Sequence, residues 1–429
     1  MLSLLPEAGG PRLVAHAGLP PAGELAKWDA ILVLLPPDVA PGRLPEKQRW
    51  LDLHTRGARR HAEVRTTTLA HPRQCLAALG YCKIDASEFE VLRVAGRLMQ
   101  QLFANRPQPR RIAVLAQITG TARRQRWQEA LCAAASAHAA QLPTARVSPG
   151  SKPLLQRVDI YGAAQFDTRR ATIVADAGNL VRHLTALPPN VLDAAGYRRA
   201  LQRLARLHGL TLRWLDERRL AKLGAGAFLA VSRGNARRDA GVAHLSYRPR
   251  GQRGGRVAVT LVGKGILFDT GGTNLKVHRS MLDMHTDMAG SAVALASLVA
   301  LARLRVPYRV DAWLAITENS IGPAAYRPQE VIRASNGTTI QVIHSDAEGR
   351  LVLADTLALA ARDEPGLIVD FATLTGACVY ALTERMSGVF CNRDALTASV
   401  LAAGRDSGER VWNFPLDADY DTDIESSTA

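Results

Sequence analysis

A chain of 429 residues, 47% hydrophobic and 22% charged, is globular in make-up and too long for one ordinary core, so two domains are expected. Its net charge of +15 is uneven, because residues 1–150 hold 20 Lys+Arg against 11 Asp+Glu, giving that third +9 and the remainder +6. No apolar run reaches the roughly 18 residues of a membrane span, and the N-terminal MLSLLPEAGG lacks a signal peptide's basic head and apolar length, so the chain reads as cytoplasmic with no membrane partner.

The first 165 residues alternate strand-like and helix-like runs. Residues 29–35 read as a buried strand ended by Pro36-Pro37, 89–103 as a helix, 111–116 as a second strand and 127–142 as an Ala-rich helix. Such alternation predicts an α/β unit. It carries no catalytic constellation: His54, His61 and His71 are scattered among arginines and are not read as ligands. Residues 143–155, rich in Pro, Ser and Gly, form a boundary zone, and a helical run over 168–187 leads into Pro188-Pro189-Asn190.

Beyond it, 197–208 reads as a helix stopped by Gly209, followed by strands over 210–214, 241–247 and 257–262. A helix over 287–304, a strand over 308–316, a hairpin turning at Asn336-Gly337, a helix over 351–362 and a strand over 366–371 complete the pattern. The fold class expected is α/β in two domains. A smaller N-terminal α/β domain of macro-like type spans 1–165, a linker helix 166–190, and a larger C-terminal α/β/α domain with a mixed central sheet 191–429. Polar motifs gather at the strand ends, where such sheets place ligands.

The densest of these motifs runs from Lys264 to Asp287, KGILFDTGGTNLKVHRSMLDMHTD. Only seven of the 54 basic residues are lysines, and two of them, Lys264 and Lys276, fall inside it. Arginine stays protonated at any working pH, whereas a desolvated or metal-bound lysine gives up its proton, so this usage points to lysine chemistry. The five cysteines form no CxxC pair, which argues against a disulfide framework or a thiolate zinc site. There is no HExxH, GxSxG or GxxxxGK[ST] motif, and Gly263-Lys264-Gly265 is only a loose likeness of a phosphate-binding turn.

Carboxylates remain. Asp346 and Glu348, at i and i+2, share a side if the chain is extended. Asp269 follows Lys264 across a turn that Gly271-Gly272 leave open, and Asp287 stands where a helix cap would. Converging carboxylates repel unless cations neutralise them, as a pair of divalent ions about 3.5–4 Å apart would. Oxygen ligands favour Mg²⁺ or Mn²⁺, and a nitrogen donor admits Zn²⁺. On spacing alone, unconnected surface acids and caps remain the alternative.

The blocks LPPN (187–190), VGKGILFDTGG (262–272), MLDMHTDMAGSA (281–292), AYRPQEV (325–331), SDAEGRLVLAD (345–355) and ATLTGA (372–377) resemble the leucyl aminopeptidase, or cytosol aminopeptidase, family of dinuclear metallopeptidases, over about residues 170–425. The resemblance implies that Lys264, Asp269, Asp287, Asp346 and Glu348 hold two divalent metal ions, Mn²⁺ or Zn²⁺. Asp269 and Glu348 would bridge both, Asp346 would hold one, and Lys264 with Asp287 the other. It implies catalytic roles for Lys276, at the oxyanion, and Arg350, holding a bicarbonate as general base. Met284, Thr373 and Leu374 match positions lining the substrate pocket. The implied activity is hydrolysis of N-terminal peptide bonds by a metal-bridging hydroxide, with leucine or another apolar residue preferred, in a homohexamer.

Two departures stand out. His344-Ser345 replaces the family's usual Asn-Thr, and Gln329-Glu330 its Gly-Asp. The family also continues well past the match at residues 409–415, while this chain stops at DIESSTA, so a fragment or short form with an exposed face is expected. The alternatives to an aminopeptidase are a DNA-binding or regulatory protein on the same scaffold, motivated by the +9 of residues 1–150, and an inactive truncated paralogue.

Overall fold

The computed structural model describes residues 2–7, 9–70, 74–146, 155–251 and 255–429; His71 and most of the boundary zone at 143–155 lie outside them. In chain order the first part comprises β1 (Arg12–His16), β2 (Ala30–Leu35), α1 (Lys47–Thr55), β3 (Val64–Thr68), β4 (Leu76–Tyr81), α2 (Glu88–Asn105), β5 (Arg111–Ala116), α3 (Thr121–Ala139) and β6 (Arg157–Tyr161). The six strands form one sheet in the order β1-β6-β5-β2-β4-β3, parallel except for β3. Strand alternation divides β2 between two cores: Ala30, Leu32 and Leu34 face α2 and α3, while Ile31, Val33 and Leu35 face Trp28, Trp50 and Tyr81. All six residues are fully buried, as expected of a parallel sheet covered on both faces. The N-terminus of α2 is closed by a capping box between Ser87 and Glu90.

The second part follows α4 (Thr168–Thr185). It comprises α5 (Ala194–His208), β7 (Thr211–Asp216), α6 (Glu217–Lys222), α7 (Gly226–Ser232), β8 (Gly241–Tyr247), β9 (Val259–Asp269), α8 (Ala289–Leu304), β10 (Val310–Asn319), β11 (Val331–Arg333), β12 (Thr339–Gln341), α9 (Glu348–Ala361) and β13 (Leu367–Phe371). Its five-stranded sheet runs β13-β9-β10-β8-β7, with β13, β9 and β10 parallel to one another and β8 antiparallel to both β10 and β7. The expected mixed central sheet is therefore present. Leu261 and Leu267 of β9 pack with α8 and α5 on one face, and Val262 and Ile266 pack with α7 and α9 on the other.

Against the expectation of no span-length apolar run, the stretch His278–Leu304 is long and apolar enough, by length and composition, to cross a membrane. In the fold it is two short 3-10 turns followed by α8, whose residues Ala292, Leu295 and Leu298 are core. After β13 come α10 (Ala377–Leu382), β14 (Ser387–Phe390), α11 (Asp394–Ser407) and β15 (Val411–Phe414). Beyond Ala360 only Gly404 and Gly408 are buried, and Tyr380 and Trp412 are 93% and 57% exposed.

Three local readings are corrected. Gly263-Lys264-Gly265 lies inside β9, and so does Asp269, so no turn separates Lys264 from Asp269 and no phosphate-binding turn exists there. Asp287 does not cap α8: Met288 stands at its N-cap, and the Asp287 side chain is turned to other partners. Asp346 and Glu348 are not in extended chain, since Asp346 sits in a turn and Glu348 is the first residue of α9.

Candidate metal centre

Along a regular strand, residues five apart point to opposite faces. Lys264 and Asp269 nevertheless reach the same side of β9. Against β10 the register runs from Ile266 opposite Thr317 to Asp269 opposite Asn319, so β9 carries one extra residue there. This bulge reverses the alternation and turns Asp269 toward the face on which Lys264 meets α9.

The chain then folds back on itself. Gly271 adopts a positive φ of 84°, and a Cβ there would lie 2.4 Å from Asn274 O and 3.0 Å from Asp346 Oδ1. The Lys276 amide donates to Thr270 O at 2.8 Å. The closed loop carries the Lys276 ammonium to 3.0 Å from Asp269 Oδ2 and 2.5 Å from Asp346 Oδ1.

On the other side Lys264, 1% exposed, stands 2.9 Å from Asp287 Oδ2 and 2.8 Å from Glu348 Oε1, and donates to Thr373 O at 2.8 Å. Gly349 makes the room, for a Cβ there would sit 2.7 Å from Lys264 Nζ. Thr373 Oγ1 donates to Asp287 Oδ1 at 2.7 Å.

Four carboxylates thus face two ammonium groups. Burial pushes Asp287 up to about 7, Lys264 pulling it down and Glu348 pushing it up further. Burial works against the Lys264 charge, but Asp287 and Glu348 outweigh it and hold the ammonium above its ordinary value. Burial likewise opposes the Lys276 charge, and hydrogen bonds to Asp346 and Asp269 override it upward.

The donor set fits hard divalent cations. Asp269, Asp346 and Glu348 each offer a carboxylate oxygen within 4.8 Å of the others. Glu348 Oε2 is buried with no hydrogen-bond partner, and Asp287 Oδ2 and Asp346 Oδ1 lie at ion-pair distance from a lysine without a well-aligned hydrogen bond. Buried lone pairs in an acid-rich site are what a cation would satisfy.

A second grouping, His244, Asp311 and Asp363, has the same compactness. Asp311 is already satisfied there by His244 at 2.8 Å, Arg309 at 3.1 Å and Ser246, and His244 stacks on Trp313. The neighbouring guanidinium makes it a structural ion pair.

Not every expected residue joins the cluster. Arg350 is exposed on the first turn of α9 and makes no hydrogen bond or ion pair among the described residues. Met284 is half-buried in a 3-10 turn, and Leu374 is 45% exposed. Thr373 bonds directly to two members of the site. His344 Nδ1 accepts from the Asp346 amide at 3.2 Å. Asn319, which the motif reading passes over, and Ser345, which opens the SDAEGRLVLAD block, lie at the centre of the loops; the signal for Asn319 is a polar residue closing the apolar run of β10.

Residues 179–429 match the model of the cytosol aminopeptidase family, catalytic domain. A probable cytosol aminopeptidase of Streptomyces coelicolor is 41% identical over 281 residues, 65% of this chain and 52% of that protein. One of Solibacter usitatus is 42% identical over 260 residues, 61% of this chain and 54% of that protein. The chain therefore spans about half the length of the curated relatives it matches. Among solved structures, the bottromycin maturation enzyme BotP in complex with Mn is similar over 93% of this chain and 84% of its own, with a TM-score of 0.76 and 28% identity.

Proposed function

The chain belongs to the cytosol aminopeptidase family, and on that footing we propose that it is a divalent-metal-dependent aminopeptidase. The observation that carries the reading is the convergence of Asp269, Asp346 and Glu348 beside Lys264 and Lys276, with the buried Glu348 Oε2 left without a hydrogen-bond partner. Lys264, Asp269, Asp287, Asp346 and Glu348 would hold two ions. When bound, such ions supply a water deprotonated near neutral pH and a Lewis acid for the scissile carbonyl.

The chain's own groups divide the remaining work. Lys276 is held at ion-pair distance by Asp269 and Asp346, and its ammonium would offer an N–H to the oxygen on which charge develops. Held by two carboxylates, the ammonium needs no reorganisation to do so. To act as a ligand Lys264 gives up its proton, and its burial favours the neutral form once Asp287 and Glu348 turn to a cation. Arg350, exposed beside the site, would hold a bicarbonate that moves protons.

Manganese is supported by the Mn named with the BotP structure, and zinc remains within the donor chemistry. An apolar N-terminal side chain suits Leu275 and Val277, which flank Lys276, and Leu374, all exposed. Assembly into a hexamer and a cytoplasmic location are part of the same proposal and rest on the family resemblance. Incubation of the chain and Mn²⁺ with a leucyl peptide and its N-acetylated form tests the reading. Release of leucine from the free-amine peptide alone is expected; no release, or equal cleavage of both, overturns it.

A further inference from the structure

The charges of the site do not explain what keeps its two acidic loops in register. Asp269 ends β9 and Asp346 precedes α9, and between them stands Asn319, the last residue of β10 and 0% exposed. Its amide nitrogen donates to Asp269 Oδ1 at 2.8 Å and to Ser345 O at 3.1 Å. Both facing atoms are acceptors, so chemistry dictates that the NH₂ and not the oxygen points at them. Asp269 Oδ1 also takes the Gly271 amide at 2.8 Å, which leaves Oδ2 to face Lys276 at 3.0 Å.

Ser345, equally buried, carries the link onward. Its hydroxyl donates to Gly271 O at 2.7 Å and accepts from the Asn274 amide at 2.7 Å, and its own amide donates to Asn274 Oδ1 at 2.8 Å. The loop bearing Lys276 is thereby fastened to the residue before Asp346.

We propose that Asn319 and Ser345 are positioning residues that fix the separation and orientation of Asp269 and Asp346 for divalent-cation binding, an inference that rests on the proposed metallopeptidase reading. Neither touches a reacting atom. Asn319 selects which oxygen of Asp269 is presented, because Oδ1 is occupied by two N–H donors. Ser345 sets the height of Asp346 above the Gly271 loop. Outer hydrogen bonds of this kind govern metal affinity by roughly 10–100-fold.

The test is the Mn²⁺ affinity of the full chain, read from free Mn²⁺ by electron paramagnetic resonance. It compares the native chain with Asn319→Ala, Ser345→Ala and Ser345→Thr, with circular dichroism as the check on folding. A loss of at least about 10-fold in Asn319→Ala and Ser345→Ala is expected, with Ser345→Thr, which keeps the hydroxyl, close to native. Native affinity in folded Asn319→Ala overturns the proposal. Should Asn319→Ala not fold, the serine pair decides, and equal affinities of the Ala and Thr variants overturn it. A native chain that binds no Mn²⁺ removes the metallopeptidase reading itself and this inference with it, so the two failures are distinct.

Discussion

Lys264 and Glu348 meet at 2.8 Å, one from the middle of β9 and the other opening α9, at 1% and 2% exposure. This contact and that of Lys276 with Asp346 draw distant segments into one acid-rich site. Its consequences are measurable.

Lys264→Met removes the cation from between Asp287 and Glu348 and leaves two buried carboxylates uncompensated. Breaking a buried pair in this way costs about 3–5 kcal/mol. The urea midpoint at pH 8 is expected to fall accordingly, and to recover in part at pH 5, where Asp287, already pushed up to about 7 by burial, takes up a proton. Gly349→Ala drives a methyl to within 2.7 Å of Lys264 Nζ and is expected to weaken Mn²⁺ binding without removing any ligand.

Gly271→Ala tests the loop. At φ of 84° an L-residue is strained, which costs about 1–2 kcal/mol, and the new Cβ would crowd Asn274 O and Asp346 Oδ1. A small fall in melting temperature is expected alongside a large loss of metal-dependent hydrolysis. Equal activity in this variant would mean that the loop does not set the position of Asp346.

A residue away from the site contributes to acid stability. Asp159, 0% exposed, receives Arg111, Arg157, His16 and Trp28. Burial alone would raise its pKa, but the hydrogen bonds from Arg111, His16, Arg157 and Trp28 bring it down to about 2 from 3.8. A folded value below the unfolded one contributes stability that is present above about pH 4 and lost as pH falls toward 2. The amount is about 2–3 kcal/mol. Unfolding between pH 5 and pH 2 is expected to show this loss in the native chain, and Asp159→Asn to show it no longer.

The architecture was legible in the sequence because the apolar runs of β2, β5, β8 and β10 and the Gly209 stop of α5 are local signals. The residues that converge, Lys264, Lys276, Asp269, Asp287, Asp346 and Glu348, are legible as parts of motifs, but the way they converge is not. The bulge that turns Asp269 to the Lys264 side depends on the register against β10, which no single segment records. Asp287 has a cap-like position in the chain yet is drawn to Lys264 and Thr373, because a buried ammonium outbids a helix end. Asn319 escaped notice since its two acceptors, Asp269 and Ser345, come from different loops.

The central claim is that Lys276 acts on a substrate carbonyl beside ions held by Asp346 and its neighbours. Hydrolysis of leucine amide with added Mn²⁺ or Zn²⁺, compared among the native chain, Lys276→Ala and Asp346→Ala, tests it most directly. The native chain is expected to turn over and to lose activity on chelation. Lys276→Ala is expected to lose roughly 10²–10³ in kcat while still binding metal, and Asp346→Ala to lose both. Equal activity in all three, or a native rate indifferent to metal, would contradict the account.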